Sequence, residues 1–277
     1  MAAYTTIDDP SAYFQTALYT GNAGFNTITN DGNSDLAPDF IWGKCRSTTK
    51  THFLYDTTRG AEKRIESDNT GSEDTSTNGV LNFYTDGFRL GSGNTENDNN
   101  ETYVAWQWKC NGGTTSSNTD GDLTSTVQFN STAGFSIITY TGKSPIEPLD
   151  VGHGMGEVPD MFIIKNRSGS RLWAMYHKEL TSPAENRYLI LNDHQYGELA
   201  NSTVFRYEAP TTTIIKTGEN AAVNQPNENF VVYAWKERQG FSKFGKYFGG
   251  GSGVRPFIYT GFKPAWVMIR NISSASN

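Results

Sequence analysis

One segment, rich in aromatic and β-branched residues, occurs twice in this chain of 277 residues. Residues 102–109 read TYVAWQWK, and residues 229–236 read NFVVYAWK. Both runs are dense in β-branched and aromatic residues and close on a lysine, which is typical of a buried strand that ends in solvent. The same offset of 127 residues relates Gly91 to Gly218. A match without a gap over this distance predicts two copies of one structural unit.

A second motif, led by proline, occurs three times. It reads PDFIWGKCRS at 38–47, PDMFIIKNRS at 159–168 and PAWVMIRNIS at 264–273. Each copy places an apolar run directly after the proline, and each is therefore predicted to form a strand. Trp108 and Trp235 recur at the same point of the TYVAWQWK-type run, so both are predicted to be core residues.

The opening strand of a unit also occurs three times, as YFQTALYTG at 13–21, GFSIITYTG at 134–142 and GFSKFGKY at 240–247. The opening strand occurs three times, whereas the TYVAWQWK-type run that closes a unit occurs twice. This predicts two complete units and a third that stops after its second strand. The natural protein is therefore expected to be longer than this sequence. The predicted organisation is an N-terminal attachment segment at 1–12, repeat 1 at 13–110, a linker at 111–132, repeat 2 at 133–238 and the start of a truncated repeat 3 at 239–277.

Composition indicates the fold class. Aromatic residues make up 13% of the chain and charged residues only 19%, which favours short strands joined by many turns over long helices. The expected fold is all-β, with tandem antiparallel β-sandwich repeats of jelly-roll or lectin-like type. Residues 85–91, which contain Asp86-Gly87, are predicted to enter a hairpin, and the single helix candidate is 58–66.

The order of several motifs resembles a known family. TTIDDPSAYF at 5–14, DGFRLGS at 86–92, YVAWQWK at 103–109 and YTGFKPAWVMI at 259–269 are similar to segments of virion structural and tail-fibre-like proteins of marine tailed phages of the cyanophage type. The resemblance extends over nearly the whole chain. It implies a structural component of a virus particle, made in the host cytoplasm, with other virion proteins as partners and a homo-oligomeric state in which a trimer is favoured.

The first residues are predicted to attach the protein to its particle. Repeats 2 and 3 open directly on their strand and have nothing that corresponds to MAAYTTIDDPSA, so this segment needs a role outside the repeating unit. The predicted anchors are Tyr4, Ile7, Tyr13 and Phe14. A disordered tail or an extra edge strand on repeat 1 is the competing interpretation.

A carbohydrate-binding receptor-recognition module is the alternative function, with a glycan of the host surface as its ligand. Sugars stack on exposed aromatic rings, and aromatic residues that do not recur between the repeats are the better candidates for such a surface. Trp173 and Tyr196 are the predicted ligand-surface residues. A polysaccharide-degrading enzyme is the third hypothesis, but no pair of carboxylates can be recognised from sequence spacing alone.

No catalytic, cofactor-binding or metal-binding residue is predicted. The four histidines have no metal-ligand spacing, and Cys45 and Cys110 are too far apart for a zinc motif and are interpreted as free thiols. A net charge of −6 without a Lys/Arg cluster argues against nucleic acid and anionic membranes as partners. The N-terminus has no secretory signal pattern, and no apolar stretch is long enough to span a bilayer.

Overall fold

The computed structural model describes residues 5–193, 197–251, 253 and 255–273. The structure contains 5% helix and 34% strand, and its strands form several antiparallel sheets, so the predicted all-β class is confirmed. None of the helices in the described part of the chain has the length and apolar character needed to cross a bilayer.

The first half of the chain contains nine strands and a short helix in its described residues. They are β1 (Phe14–Thr20), β2 (Asn26–Ile28), β3 (Phe40–Cys45), β4 (Phe53–Asp56), β5 (Lys63–Arg64), β6 (Asp74–Thr75), β7 (Val80–Tyr84), β8 (Gly87–Leu90), α1 (Asn94–Asn97) and β9 (Thr102–Trp108). A 3-10 helix at Pro10–Ala12 precedes them.

The second half of the described chain contains the other nine strands. They are β10 (Ser116–Asn118), β11 (Ser125–Asn130), β12 (Phe135–Thr141), β13 (Leu149–Gly152), β14 (Met161–Asn166), β15 (Ala174–His177), β16 (Leu189–Ile190), β17 (Ile214–Thr217) and β18 (Asn229–Trp235). A 3-10 helix at Ala184–Asn186 and the helix α2 (Ser202–Phe205) lie between strands.

The residues of predicted repeat 1 form a two-layer β structure. Its larger sheet has the strand order β1-β9-β3-β4, and its smaller sheet has the order β2-β8-β7. Phe53 and Tyr103 of the larger sheet pack with Phe88 and Leu90 of the smaller one in a common hydrophobic cluster. The smaller sheet includes the predicted hairpin, because β7 and β8 pair across the turn before Gly87. Gly87 has a φ of +100°, a conformation that glycine adopts without strain.

Repeat 2 has the same strand order in its central part. Within a seven-stranded sheet, β12-β18-β14-β15 follows the order of β1-β9-β3-β4, and β13 and β17 form the smaller sheet. The register also agrees, because Phe14 and Phe40 flank Trp108 whereas Phe135 and Met161 flank Trp235.

The side-chain packing on these strands agrees as well. Tyr19 stacks on Tyr103 with ring centroids 5.0 Å apart, and Tyr140 stacks on Phe230 at 4.8 Å. Trp108 and Trp235 are each 6% exposed, as expected for core residues.

The two larger sheets pack against each other. Their common cluster, here called the shared core, joins Phe40, Trp42 and Trp108 of repeat 1 to Tyr233 and Trp235 of repeat 2. The rings of Phe40 and Tyr233 are stacked with centroids 4.2 Å apart. Full burial of one such aromatic side chain contributes roughly 1.5–3 kcal/mol to stability, so this contact stabilises the packing of the two sheets.

The predicted linker at 111–132 is wrong. Strand β11 lies within it and pairs with β12, and β10 extends the same sheet by a further strand. Gln128 on β11 is fully buried and donates hydrogen bonds to the hydroxyl groups of Thr57 and Thr58 in repeat 1. The Gly, Ser and Thr content of this stretch therefore reflects turns around two strands and not a free connection.

Two further expectations are corrected. Residues 58–66, the helix candidate, form turns and then β5. The described residues from 239 onward form no strand, although Arg238 and Ser242 make one isolated bridge. Within the described residues, the sequence patterns at 240–247 and 264–273 therefore do not form the two strands predicted for repeat 3.

Candidate functional site

Five tryptophans gather where the third segment, defined as residues 239–273, meets the shared core. The ring of Trp266 lies edge-on to that of Trp108, with centroids 5.3 Å apart and an interplanar angle of 89°. The ring centroids of Trp42 and Trp106 lie 6.1 and 6.4 Å from that of Trp266. The ring centroid of Trp235 lies 6.4 Å from that of Trp108. Edge-to-face pairs at these separations are favourable contacts. The third segment thus packs against repeats 1 and 2 at their shared core.

A buried set of polar side chains crosses the boundary between the repeats. This inter-repeat polar cluster consists of Asp56, Arg59 and Glu73 of repeat 1 with Arg167 and Tyr233 of repeat 2. The Arg59 Nε donates to Asp56 Oδ2 at 2.5 Å, and the Tyr233 phenol donates to the same oxygen at 2.7 Å. Because Arg59, Asp56 and Tyr233 are all fully buried, each depends on the others for its hydrogen bonds.

Glu73 extends this cluster toward solvent. Its carboxylate accepts hydrogen bonds from Arg59 Nη1 at 2.9 Å and from Arg167 Nε and Nη2 at 2.8 and 2.9 Å. Burial opposes the charged carboxylate, but the Arg167 and Arg59 guanidinium groups outweigh it and hold the pKa of Glu73 below 4.5. Burial raises the pKa of Tyr233 well above 10.0, so the phenol keeps its proton and remains a donor.

The polar cluster escaped the sequence analysis, although a signal for it exists. Tyr233 takes the place that Trp106 has in repeat 1, and Asp56 takes the place that His177 has in repeat 2. Positions at which two repeats differ are the positions that can bind one repeat to the other. A comparison of the repeats residue by residue would therefore have indicated Asp56 and Tyr233.

An open polar cleft of about 250 Å³ lies beside this boundary. It is lined by Arg64, Glu66, Asn69, Gly71, Ser72 and Asp74 of repeat 1 and by Ser170 of repeat 2. Arg64 is engaged there, because it pairs with Asp74 Oδ2 at 2.8 Å and with Glu96 Oε1 at 3.2 Å. The lining contains no aromatic ring on which a sugar could stack.

The described end of the chain presents large apolar side chains to solvent. The exposed fractions are 88% for Phe248, 87% for Phe257, 73% for Tyr259, 63% for Val267 and 66% for Ile269. We call these five residues the exposed apolar row. Exposed apolar side chains of this size are candidates for a contact surface.

The predicted ligand-surface residues do not form a surface. Trp173 is fully buried in the shared core and donates a hydrogen bond from its indole Nε1 to the Glu66 carbonyl at 3.0 Å. Its assignment as a ligand-surface residue is therefore wrong. Trp173 occupies the position that His52 occupies in repeat 1. An aromatic residue that does not recur between the repeats is therefore a core residue in this protein. Tyr196 lies outside the described residues.

The predicted anchors of the attachment segment contact the chain itself, and Tyr4 lies outside the described residues. Ile7 is only 3% exposed, Phe14 packs edge-on to Trp108 at 4.9 Å, and Tyr13 lies 6.3 Å from Phe241. The prediction of Ile7 as an anchor is therefore wrong, because its side chain is buried in the fold, whereas the anchor role of the half-buried Phe14 stays a prediction.

Hydrogen bonds also hold the start of the described chain in place. The Asp9 carboxylate accepts hydrogen bonds from the Ser11 amide at 2.9 Å and from the Ser34 hydroxyl at 2.7 Å. Asp9 caps the 3-10 helix that begins at Pro10, as its sequence suggests. Whether this segment also attaches the protein to a particle stays a prediction.

Among the described residues, the side chains that could bind a metal ion do not form a common site, and the two thiols are each buried. Within the described ranges, no set of three or more His, Cys, Asp or Glu side chains is arranged to hold a metal ion. Cys45 and Cys110 are both buried and free. Burial raises the pKa of Cys110 well above 9.0, whereas hydrogen bonds from Thr48 and Ser47 offset the effect of burial and lower the pKa of Cys45.

One family model matches almost the entire chain. The family model described as "Domain of unknown function (DUF7483)" matches residues 9–277. The chain belongs to this family. The DUF7483 match begins at Asp9, where the 3-10 helix is capped, and includes both repeats and the third segment. No curated protein and no solved structure matches the chain.

Proposed function

We propose that this DUF7483 protein is a structural component of a virus particle, of tail-fibre or appendage type, which acts by assembly with other proteins. The observation that carries the proposal is the exposed apolar row, which includes Phe257 at 87% and Ile269 at 66% exposure. Side chains of this size lose favourable burial when they face water, so a contact that covers them would stabilise them, and assembly supplies such a contact.

The rest of the structure suits a mechanical role. The shared core and the inter-repeat polar cluster bind the two repeats into one body, and strand β11 continues the sheet of repeat 2 through the connection. Packed interiors are poorly compressible, which would suit such a body to a mechanical role.

The location in a particle is supported by the resemblance of the ordered motifs to virion structural and tail-fibre-like proteins of marine phages. Under this proposal the partners are other virion proteins and further copies of this chain, with a trimer favoured. The N-terminal segment up to residue 12 remains the proposed contact with the particle, through residues other than the buried Ile7.

Carbohydrate recognition on a host surface is the alternative function. The polar cleft at Arg64 offers hydrogen-bonding groups to a small polar ligand, but its lining has no aromatic ring and its arginine is paired with Asp74 and Glu96. The geometry therefore favours assembly over sugar binding.

Mass spectrometry of gradient-purified particles tests the proposal. We expect peptides from both repeats in the particle fraction, at a molar ratio to the major capsid protein that stays constant across the gradient peak. Antibodies against repeat 2 should label one position on the particle in electron micrographs. A protein found only in the soluble lysate of infected cells, with none in particles, would contradict the proposal.

A further inference from the structure

The outer face of the smaller sheet in repeat 1 has an arginine at its centre. Arg89 lies on β8 between β2 and β7, and its partners in the register are Thr27 on one side and Asn82 on the other. Residues that face each other across antiparallel strands place their side chains on the same side of the sheet. Thr27 and Asn82 are exposed, whereas Phe88 and Leu90 on either side of Arg89 pack in the core of the repeat. Arg89 is therefore flanked by two neutral hydrogen-bonding side chains on a face that is open to solvent.

The guanidinium of Arg89 stacks on an exposed aromatic ring. The Arg89 Cζ lies 4.4 Å from the ring centroid of Phe25, and Phe25 is 71% exposed. The Arg89 Nε is buried without a hydrogen-bond partner, and within the described ranges the guanidinium forms no ion pair with a carboxylate. Stacking on a ring orients the planar fork of an arginine without neutralising its charge.

Repeat 2 shows which group neutralises the equivalent position. The offset of 127 residues between the repeats places Lys216 of β17 at the position of Arg89 on β8. Asp150 of β13 corresponds to Thr27, because the register pairs Asp150 with Lys216 and Thr27 with Arg89. The Lys216 Nζ donates to Asp150 Oδ2 at 3.0 Å and lies 3.5 Å from Glu208 Oε2. Repeat 2 thus binds a carboxylate at this cation, whereas the described part of repeat 1 has the cation without the carboxylate.

We propose that this outer face of repeat 1 binds the carboxylate of an acidic sugar, as it occurs in a polysaccharide of uronic acids. The carboxylate takes the position at Arg89 that Asp150 has at Lys216, and it accepts two parallel hydrogen bonds from the guanidinium. The open side of the Phe25 ring packs on the C–H face of the sugar, and the Thr27 hydroxyl binds its hydroxyl groups together with the neighbouring amide of β7.

The residues around Arg89 favour a sugar over an acidic peptide. An Asp or Glu side chain would use the guanidinium alone, whereas a uronic acid also supplies hydroxyl groups for Thr27 and Asn82 and an apolar ring face for Phe25. None of these residues lines the polar cleft at Arg64 or belongs to the exposed apolar row. The inference is therefore a further binding function, and it does not rest on the proposed assembly.

Glycan binding by the full chain tests this site. The probes are oligosaccharides of galacturonate, glucuronate and mannuronate, and each is matched by its methyl ester, which keeps the ring and removes the charge. We expect saturable binding of at least one of the acids in isothermal titration calorimetry. Its ester should bind about tenfold more weakly or not at all, because hydrogen bonds to a charged group are the stronger ones. Absence of binding by all three acids, or equal binding of acid and ester, would overturn the proposal.

Two substitutions at the site locate the binding. Arg89→Gln removes the charge and should weaken binding by about tenfold or more. Thr27→Asp introduces the carboxylate that repeat 2 has at Asp150, so it should pair with Arg89 within the chain and weaken binding to a similar extent, with no loss in the unfolding midpoint. Arg46→Gln, at an exposed arginine, is the matched control and should leave the affinity unchanged. Binding that both site variants retain would contradict the assignment.

A peptide probe identifies the source of the carboxylate. Phe25→Ala should weaken binding of the acidic sugar by about threefold or more, since only the sugar uses the ring. A polyglutamate peptide that binds as tightly as the best sugar, with neither affinity changed by Phe25→Ala, would make a protein carboxylate the ligand and would refute this inference. Absence of the protein from particles would contradict the proposed function but would leave these affinities unaffected, so the two failures can be told apart.

Discussion

The phenol of Tyr233 in repeat 2 donates a hydrogen bond to the Asp56 carboxylate of repeat 1, with 2.7 Å between the two oxygens. Asp56 also binds Arg59 through its Oδ2, and all three side chains are fully buried. One residue of the second repeat thus completes an ion pair that belongs to the first. This relationship makes the stability of each repeat depend on the other.

Removal of that phenol should destabilise the whole chain. Tyr233→Phe keeps the ring that stacks on Phe40 but leaves the buried Asp56 carboxylate without one of its donors. We expect a loss of about 1–3 kcal/mol in the free energy of unfolding, measured by urea denaturation. Tyr207→Phe, at a side chain that is 43% exposed, is the matched control and should change stability by less than about 0.5 kcal/mol. Equal effects of the two changes would contradict the role of the polar cluster.

The contribution of Glu73 should depend on pH. Its pKa in the folded protein is lowered from 4.5, so the carboxylate stabilises the fold above that pH and loses this contribution as the pH falls through the lowered pKa. The difference in unfolding free energy between wild type and Glu73→Gln should therefore be constant from pH 7 to about 5.5 and should shrink below about pH 4.5. The exposed Glu219→Gln serves as the control. A difference that stays constant down to pH 3 would show that the Arg59 and Arg167 pairs do not act on Glu73 as described.

Lys165 should make stability rise at alkaline pH. The residue is fully buried, its Nζ donates to the Thr70 and Arg171 carbonyls, and burial lowers its pKa from 10.5 to about 8. The unfolded chain binds this proton more tightly, so the fold gains stability as the pH rises from about 8 toward 10.5.

Denaturation at several pH values tests this gain. Between pH 7.5 and 9.5 the wild type should gain about 1–2 kcal/mol relative to Lys165→Met, because methionine fills similar space and does not titrate. The exposed Lys263→Met should follow the wild type at each pH. Parallel curves for wild type and Lys165→Met would mean that the buried amine keeps an ordinary proton affinity.

The two thiols should react at different rates. Cys45 ends β3 beside the exposed residues 46–49, and its Sγ lies 3.3 Å from Thr48 Oγ1, whereas the Cys110 Sγ lies 3.4 Å from the Phe135 carbonyl inside the shared core. The thiolate is the reactive form, and the pKa is lowered for Cys45 and raised for Cys110. Iodoacetamide at pH 8, followed by peptide mass spectrometry, should modify Cys45 at least about tenfold faster. In denaturant the two rates should converge, and a faster reaction at Cys110 in the native protein would contradict the described burial.

The candidate site was only partly predictable. The exposed apolar row lies in the third segment, whose motifs predict strands that the described residues do not form. Trp173 is not the surface residue that its lack of recurrence predicts, because it fills a position of the shared core that corresponds to His52 in repeat 1. The pairing of Asp56 with Tyr233 joins residues 177 positions apart, and no local pattern reveals such a contact.

Local patterns predict the all-β class, the core position of Trp108 and Trp235, and the hairpin before Gly87, because alternation, repetition and turn chemistry are properties of short stretches. Only the tertiary structure decided that the repeats share one core, that β11 makes a sheet strand of the supposed linker, and that the third segment lies on Trp108 with Val267 and Ile269 open to solvent. These features depend on which apolar face packs against which. A repeated pattern gives both repeats the same apolar face. Only the packing of the folded chain decides what each of these faces contacts.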